Sequence, residues 1–135
     1  MTKKSVNQLA YEVVGCAIEV HKQLGAGLLE GVYESCFCHE LQSRGFQIVR
    51  QMTVPVIYKN IEVQAELRLD VMVNDCVIVE LKAVEQIHPI YEAQLLTYMK
   101  LLKKLKGLLI NFHTDNIVKS TKPFVNEYFS QLNES

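Results

Sequence analysis

Cys76-Val77-Ile78-Val79-Glu80-Leu81-Lys82 is a short run whose apolar residues occupy odd and even positions alike. Successive side chains of an extended chain point to opposite faces, so this run reads as a strand covered on both sides. The segments around it can be ranked by whether they supply that cover. Leu9, Val13, Cys16, Val20 and Leu24 recur at helical spacing behind Ser5-x-x-Gln8, which resembles a capping box, and predict a helix over residues 6–24 that stops at Gly25. Tyr33, Phe37 and Leu41 before Gly45 predict a second helix over residues 28–44, with Glu30 on its apolar side.

From Phe46 the period changes. Thr53 to Tyr58, a Lys59-Asn60 turn, a long strand from Ile61 to Val73, an Asn74-Asp75 turn and the 76–82 run predict an antiparallel meander, with Pro55 placing its first strand at or near an edge. His88-Pro89 opens a third helix, whose stripe of Tyr91, Gln94, Tyr98, Leu101 and Leu105 runs to about Lys106 and is ended by Gly107. Leu108 to Phe112 is then a short strand reached by a crossover, and residues 117–119 read as a last edge strand before a short terminal segment.

The 135 residues suit one domain with one core, and 49% hydrophobic with 21% charged residues is an ordinary globular composition. A net charge of −1 supplies no global positive field for nucleic acid, although a cation held by acids would offset part of that balance locally. No stretch approaches the roughly 20 apolar residues of a membrane span, and no signal-type run follows the basic start. Cys16, Cys36, Cys38 and Cys76 lack paired metal-finger spacing and read as reduced thiols of a cytoplasmic protein.

Asp70, Glu80 and Lys82 break the apolar pattern of the two central strands. A carboxylate taken out of water costs several kcal/mol unless a cation or hydrogen bonds compensate it. Glu80 and Lys82, two apart on one strand, share a face. Asp70, Glu80 and the Leu81 carbonyl form an oxygen set suited to Mg²⁺ or Mn²⁺, with Lys82 beside the scissile group. Register makes a demand on this reading. A strict two-residue loop at Asn74-Asp75 would set Asp70 opposite Val79, on the wrong face, so a three-residue turn, a bulge or a parting of the strands is required. Glu30 is explained equally by helix-dipole compensation, and Gln94 with Tyr98 by a satisfied buried pair. His21 and the lysines at 100, 103, 104 and 106 read as a partly buried or capping histidine and as dipole compensation at the end of the third helix.

Gly27-Leu28-Leu29-Glu30-Gly31-Val32-Tyr33, Arg68-x-Asp70, Val79-Glu80-Leu81-Lys82 and Gln94-x-x-x-Tyr98 together resemble the GxxExxY proteins, a group placed in the PD-(D/E)XK nuclease-like superfamily. The resemblance spans nearly all of residues 6–112. It implies an α/β, restriction-endonuclease-like core: a mixed four-stranded sheet flanked by helices, in the order ααβββαβ. It further implies Asp70 and Glu80 as Mg²⁺ ligands, Lys82 as the catalytic lysine, and Glu30 as the acidic residue of the first motif helix. Leu69 stands where the superfamily name has proline. All four cysteines precede the Gln94-x-x-x-Tyr98 helix, unlike those of iron-sulfur relatives, so no cluster is expected.

The expected function is therefore a metal-dependent nuclease hydrolysing phosphodiester bonds in DNA, with Glu30, Asp70 and Glu80 around the ion, Lys82 beside the scissile phosphate, and Arg68, Gln94 and Tyr98 as substrate contacts. A two-fold dimer would suit cutting of two strands. The alternatives are a non-catalytic nucleic-acid-binding or assembly module that retains the fold, and a regulatory protein that pairs through an apolar helix surface.

Overall fold

Two helices come first, and the capping chemistry sets where they start. In the computed structural model, which describes residues 1–135, α1 spans Lys3–Leu24 and α2 spans Glu30–Ser43. The capping box lies one turn earlier than Ser5-x-x-Gln8 suggests: the Thr2 hydroxyl accepts from the Ser5 amide at 3.1 Å, and the Ser5 hydroxyl accepts from the Thr2 amide at 2.9 Å. The amides of Lys3 and Lys4, which have no partner inside the helix, donate to the carbonyls of Asn133 and Glu134.

Seven strands follow: β1 (Ile48–Thr53), β2 (Val56–Tyr58), β3 (Ile61–Val63), β4 (Arg68–Val73), β5 (Val77–Lys82), β6 (Lys106–Asn111) and β7 (Thr121–Val125). The helix α3 (Pro89–Leu102) joins β5 to β6, the single turn α4 (Ile117–Ser120) precedes β7, and α5 (Glu127–Ser130) ends the ordered elements. The main sheet has the order β1-β4-β5-β6-β7. Its β5–β6 pair is parallel across the α3 crossover and the other pairs are antiparallel.

Each departure from the expected elements has a local cause. The strand expected over 61–73 is broken, because Pro55 cannot donate to a ladder beyond Val54 and the chain leaves the sheet there. The segment that leaves forms a separate β2–β3 hairpin, turned by Lys59 and Asn60 in the left-handed region (φ 48° and 68°). Residues 117–119 form a helical turn, because the Asn116 side chain accepts from the Lys119 amide at 3.1 Å. The edge strand is β7, a fifth strand, and Pro123 sits on it harmlessly. Helix α3 stops at Leu102 with Lys103 left-handed (φ 55°), so Lys106 and Gly107 belong to β6 rather than to the helix end.

Both faces of the sheet are covered. Val71, Val73, Val77, Val79, Leu81, Leu108 and Ile110 pack against the buried stripes of α1 and α2, whereas Met72, Ile78 and Leu109 pack with Leu95, Tyr98 and Met99 of α3. No helix is long and apolar enough to cross a membrane.

Candidate active site

The turn between β4 and β5 has three residues, not two. Val73 pairs with Val77, Met72 with Ile78 and Val71 with Val79, leaving Asn74, Asp75 and Cys76 in the loop. This register sets Asp70 level with Glu80. Backbone pairing of the two strands ends at Val71, and the two side chains take over. The Asp70 amide donates to Glu80 Oε1 at 3.2 Å, and the Leu81 amide donates to Asp70 Oδ2 at 2.8 Å. Alternation in β4 also fails here, since Leu69 and Met72 both pack on the α3 side while Val71 faces α1 and α2. The three-residue turn meets the register demand, and the sheet also opens at this point.

Glu80 is only 5% exposed, on the face covered by α3. Burial, reinforced by the negative charge of Asp70, pushes its carboxyl up to about 9, against a weaker opposing pull from Lys82. Tyr98 is buried on the same side. Burial first, and then the charges of Glu80 and Asp70, raise its phenol. Lys82 is half-buried, its Nζ 4.3 Å from the centroid of the Tyr91 ring.

Glu30 reaches this centre from α2. Partial burial raises its carboxyl, Lys82 lowers it, and Asp70 and Glu34 raise it. The motif tyrosine builds the approach to it: the Tyr33 hydroxyl donates to the Gly25 carbonyl at 2.6 Å and accepts from the Leu28 amide at 3.1 Å, while its ring stacks on Phe112 at 4.5 Å. Glu30 is exposed rather than set on the apolar side of α2, because it lies in the first turn next to that loop. Gln94 is exposed too, so it forms no buried pair with Tyr98, and Arg68 is exposed at the start of β4. His21 is half-buried, its Nε2 2.7 Å from the Thr114 carbonyl.

Four residues of the neighbourhood escape sequence reasoning. Glu34 follows Glu30 by one helical turn, a spacing that could have drawn attention to it. It is 9% exposed, pairs with Arg50 at 2.9 Å and accepts from Gln51 Nε2 at 2.9 Å. Gln51 Nε2 also stands 3.4 Å from Asp70 Oδ1. Tyr91 looked like part of the core stripe. Asn111 clips the chain just beyond Lys82, accepting from the Val84 amide at 3.1 Å and donating to the Val84 carbonyl at 2.8 Å.

Comparison with known proteins decides the family. The family model described as the PD-(D/E)XK nuclease superfamily matches residues 7–123. The chain belongs to that superfamily. No curated protein and no solved structure matches it. A superfamily domain of this kind supports a nuclease-type function, and the mixed sheet flanked by helices agrees with a restriction-endonuclease-like fold.

PD-(D/E)XK nucleases generally use divalent metals. The donors present suit such an ion in kind: hard carboxyl oxygens on a buried Glu80 and a half-buried Asp70, whose mutual repulsion a cation would relieve. No three acidic, histidine or cysteine side chains lie close enough together to form a cage. A site built here would therefore rest on Asp70 and Glu80, with backbone and water completing it, as is usual for Mg²⁺.

Proposed function

We propose that this chain is a metal-dependent nuclease of the GxxExxY group that hydrolyses phosphodiester bonds in DNA. The observation that carries the reading is the meeting of Asp70 and Glu80 where β4 and β5 part, with Lys82 on the same strand and face as Glu80. Asp70 and Glu80 would hold Mg²⁺ or Mn²⁺. The Leu81 carbonyl shares an edge of β5 with the amide that donates to Asp70, so it is the natural backbone ligand. Such an ion, when bound, supplies Lewis acidity toward the phosphodiester and lowers the pKa of a coordinated water.

The remaining roles fall to side chains of this protein. Lys82, steadied by Tyr91, faces the negative charge that develops on the phosphate. Glu30 adds an acidic group at the mouth, within electrostatic reach of Lys82 and Asp70. Arg68 and Gln94, both exposed, contact the nucleic-acid backbone, while Tyr98 shapes the buried side of the carboxyl pair. The four free thiols fit a cytoplasmic setting, and a two-fold dimer would bring two sites to two strands.

A second reading draws on the net charge of −1: a module that binds nucleic acid or a partner without cutting. Linear, nicked and single-stranded DNA, and RNA, incubated with Mg²⁺, Mn²⁺ or chelator beside Lys82→Ala, separate the two. The nuclease reading expects metal-dependent cleavage that falls roughly 10²–10³-fold in the variant. Binding without cleavage would favour the module, and cleavage equal in both proteins would mark a contaminant.

A further inference from the structure

Gln51 occupies an anomalous position in β1. Arg50 pairs with Val71 and Met52 with Leu69, so Gln51 falls level with Asp70, yet it drops out of the ladder with φ 50°. A residue with a long side chain seldom takes this left-handed conformation, which glycine takes freely. The consequence is visible in the side chains. Neighbours in a strand should point to opposite faces, but Arg50 and Gln51 both reach Glu34, at Oε2 and Oε1 respectively, each at 2.9 Å. From there the Gln51 amide also reaches Asp70 Oδ1 at 3.4 Å, while Asp70 Oδ2 is taken by the Leu81 amide.

We propose that Gln51 is a positioning residue for Asp70: its amide bridges Glu34 and Asp70, tying the carboxylate on the sheet to α2, and the left-handed turn at residue 51 is kept for that purpose. The two donors act on different oxygens and so fix the plane of the Asp70 carboxylate before any ligand arrives. Strain retained in the backbone beside a site is expected only where the surrounding structure uses the geometry. Glu34 is held in turn by Arg50, so the bridge has a rigid far end. This inference rests on the reading of Asp70 as a metal ligand.

Gln51→Gly separates a positioning role from a structural one, because glycine accepts the left-handed backbone and removes only the bridge. Mn²⁺ affinity is measured by calorimetry, and thermal melting is followed without metal, for the wild type, Gln51→Gly and Gln51→Asn; the last tolerates the backbone but is too short to span both carboxylates. The expected result is Mn²⁺ binding weakened roughly tenfold or more in both variants, with the metal-free Tm of Gln51→Gly at or above that of the wild type. Unchanged affinity in the variants, with or without a fall in Tm, overturns the inference while leaving the metal reading intact. A wild type that binds no Mn²⁺ overturns the metal reading and the inference with it.

Discussion

Lys82 Nζ stands 4.3 Å from the centroid of the Tyr91 ring, so the first turn of α3 holds the ammonium that β5 delivers beside Glu80. A cation over an aromatic face gains about 0.5–2 kcal/mol, depending on how dry the site is. Tyr91→Phe keeps the ring and should cleave at a near wild-type rate. Tyr91→Leu frees the ammonium and should slow single-turnover cleavage between a few-fold and roughly thirtyfold, at unchanged Mn²⁺ affinity. Equal rates for Tyr91→Leu and wild type would show that the contact does not serve catalysis.

Glu80 makes the metal-free protein sensitive to alkali. Its carboxyl is held up to about 9 when folded, above its ordinary 4.5, by burial first and by Asp70 second. Between these two values the folded state keeps a proton that the unfolded state has lost. Stability from this group is therefore fully present below the lower value and declines as pH rises toward the upper one, by at most about 1.4 kcal/mol per pH unit. In chelator, Tm should fall from pH 5 to pH 9. Glu80→Gln should flatten that slope and melt higher than wild type at pH 8. A wild-type Tm that holds level across the range would refute the argument.

Tyr33 ties the turn before Glu30 through two hydrogen bonds of its hydroxyl, to Gly25 and from Leu28. Tyr33→Phe retains the stack on Phe112 and removes only those bonds, at a cost of about 1–3 kcal/mol. Urea unfolding should register that loss, and hydrogen exchange at the Leu28 amide should accelerate more than at amides inside α1. Uniform acceleration across the chain would argue against a local role.

Much of the fold was legible because the strongest signals were periodic. The apolar stripe of α1 follows from helical spacing, α3 from its His88-Pro89 start, and β5 from an apolar run too short for a helix and covered on both faces. The broken strand between β3 and β4 was not, because the lost ladder is a matter of register and Pro55 alone does not say where the chain rejoins the sheet. The candidate site divides in the same way. Asp70, Glu80 and Lys82 stood out as charges in apolar surroundings. Gln51 and Glu34 carried no such signal, since only pairing across β1 and β4 and the packing of α2 bring them to Asp70.

Gly107 shows how one residue type can be read correctly as special and wrongly as to why. It does not end α3 but lies in β6 beneath it, opposite Ile78, where a Cβ would stand 2.8 Å from Met99 Sδ and 3.0 Å from Leu95 Cδ1. Both neighbours are fully buried and have little room to retreat. Gly107→Ala should therefore destabilise by about 1–3 kcal/mol through overpacking, although alanine is ordinarily the better residue in a strand. Met99→Ala opens a cavity on its own, but in the double variant the added methyl meets less resistance. The effects should be non-additive in equilibrium unfolding, with Gly107→Ala costing less beside Met99→Ala than alone. Strict additivity would mean that helix α3 shifts as a body instead, and the pairing of Lys82 with Tyr91 on that helix would then weaken with it.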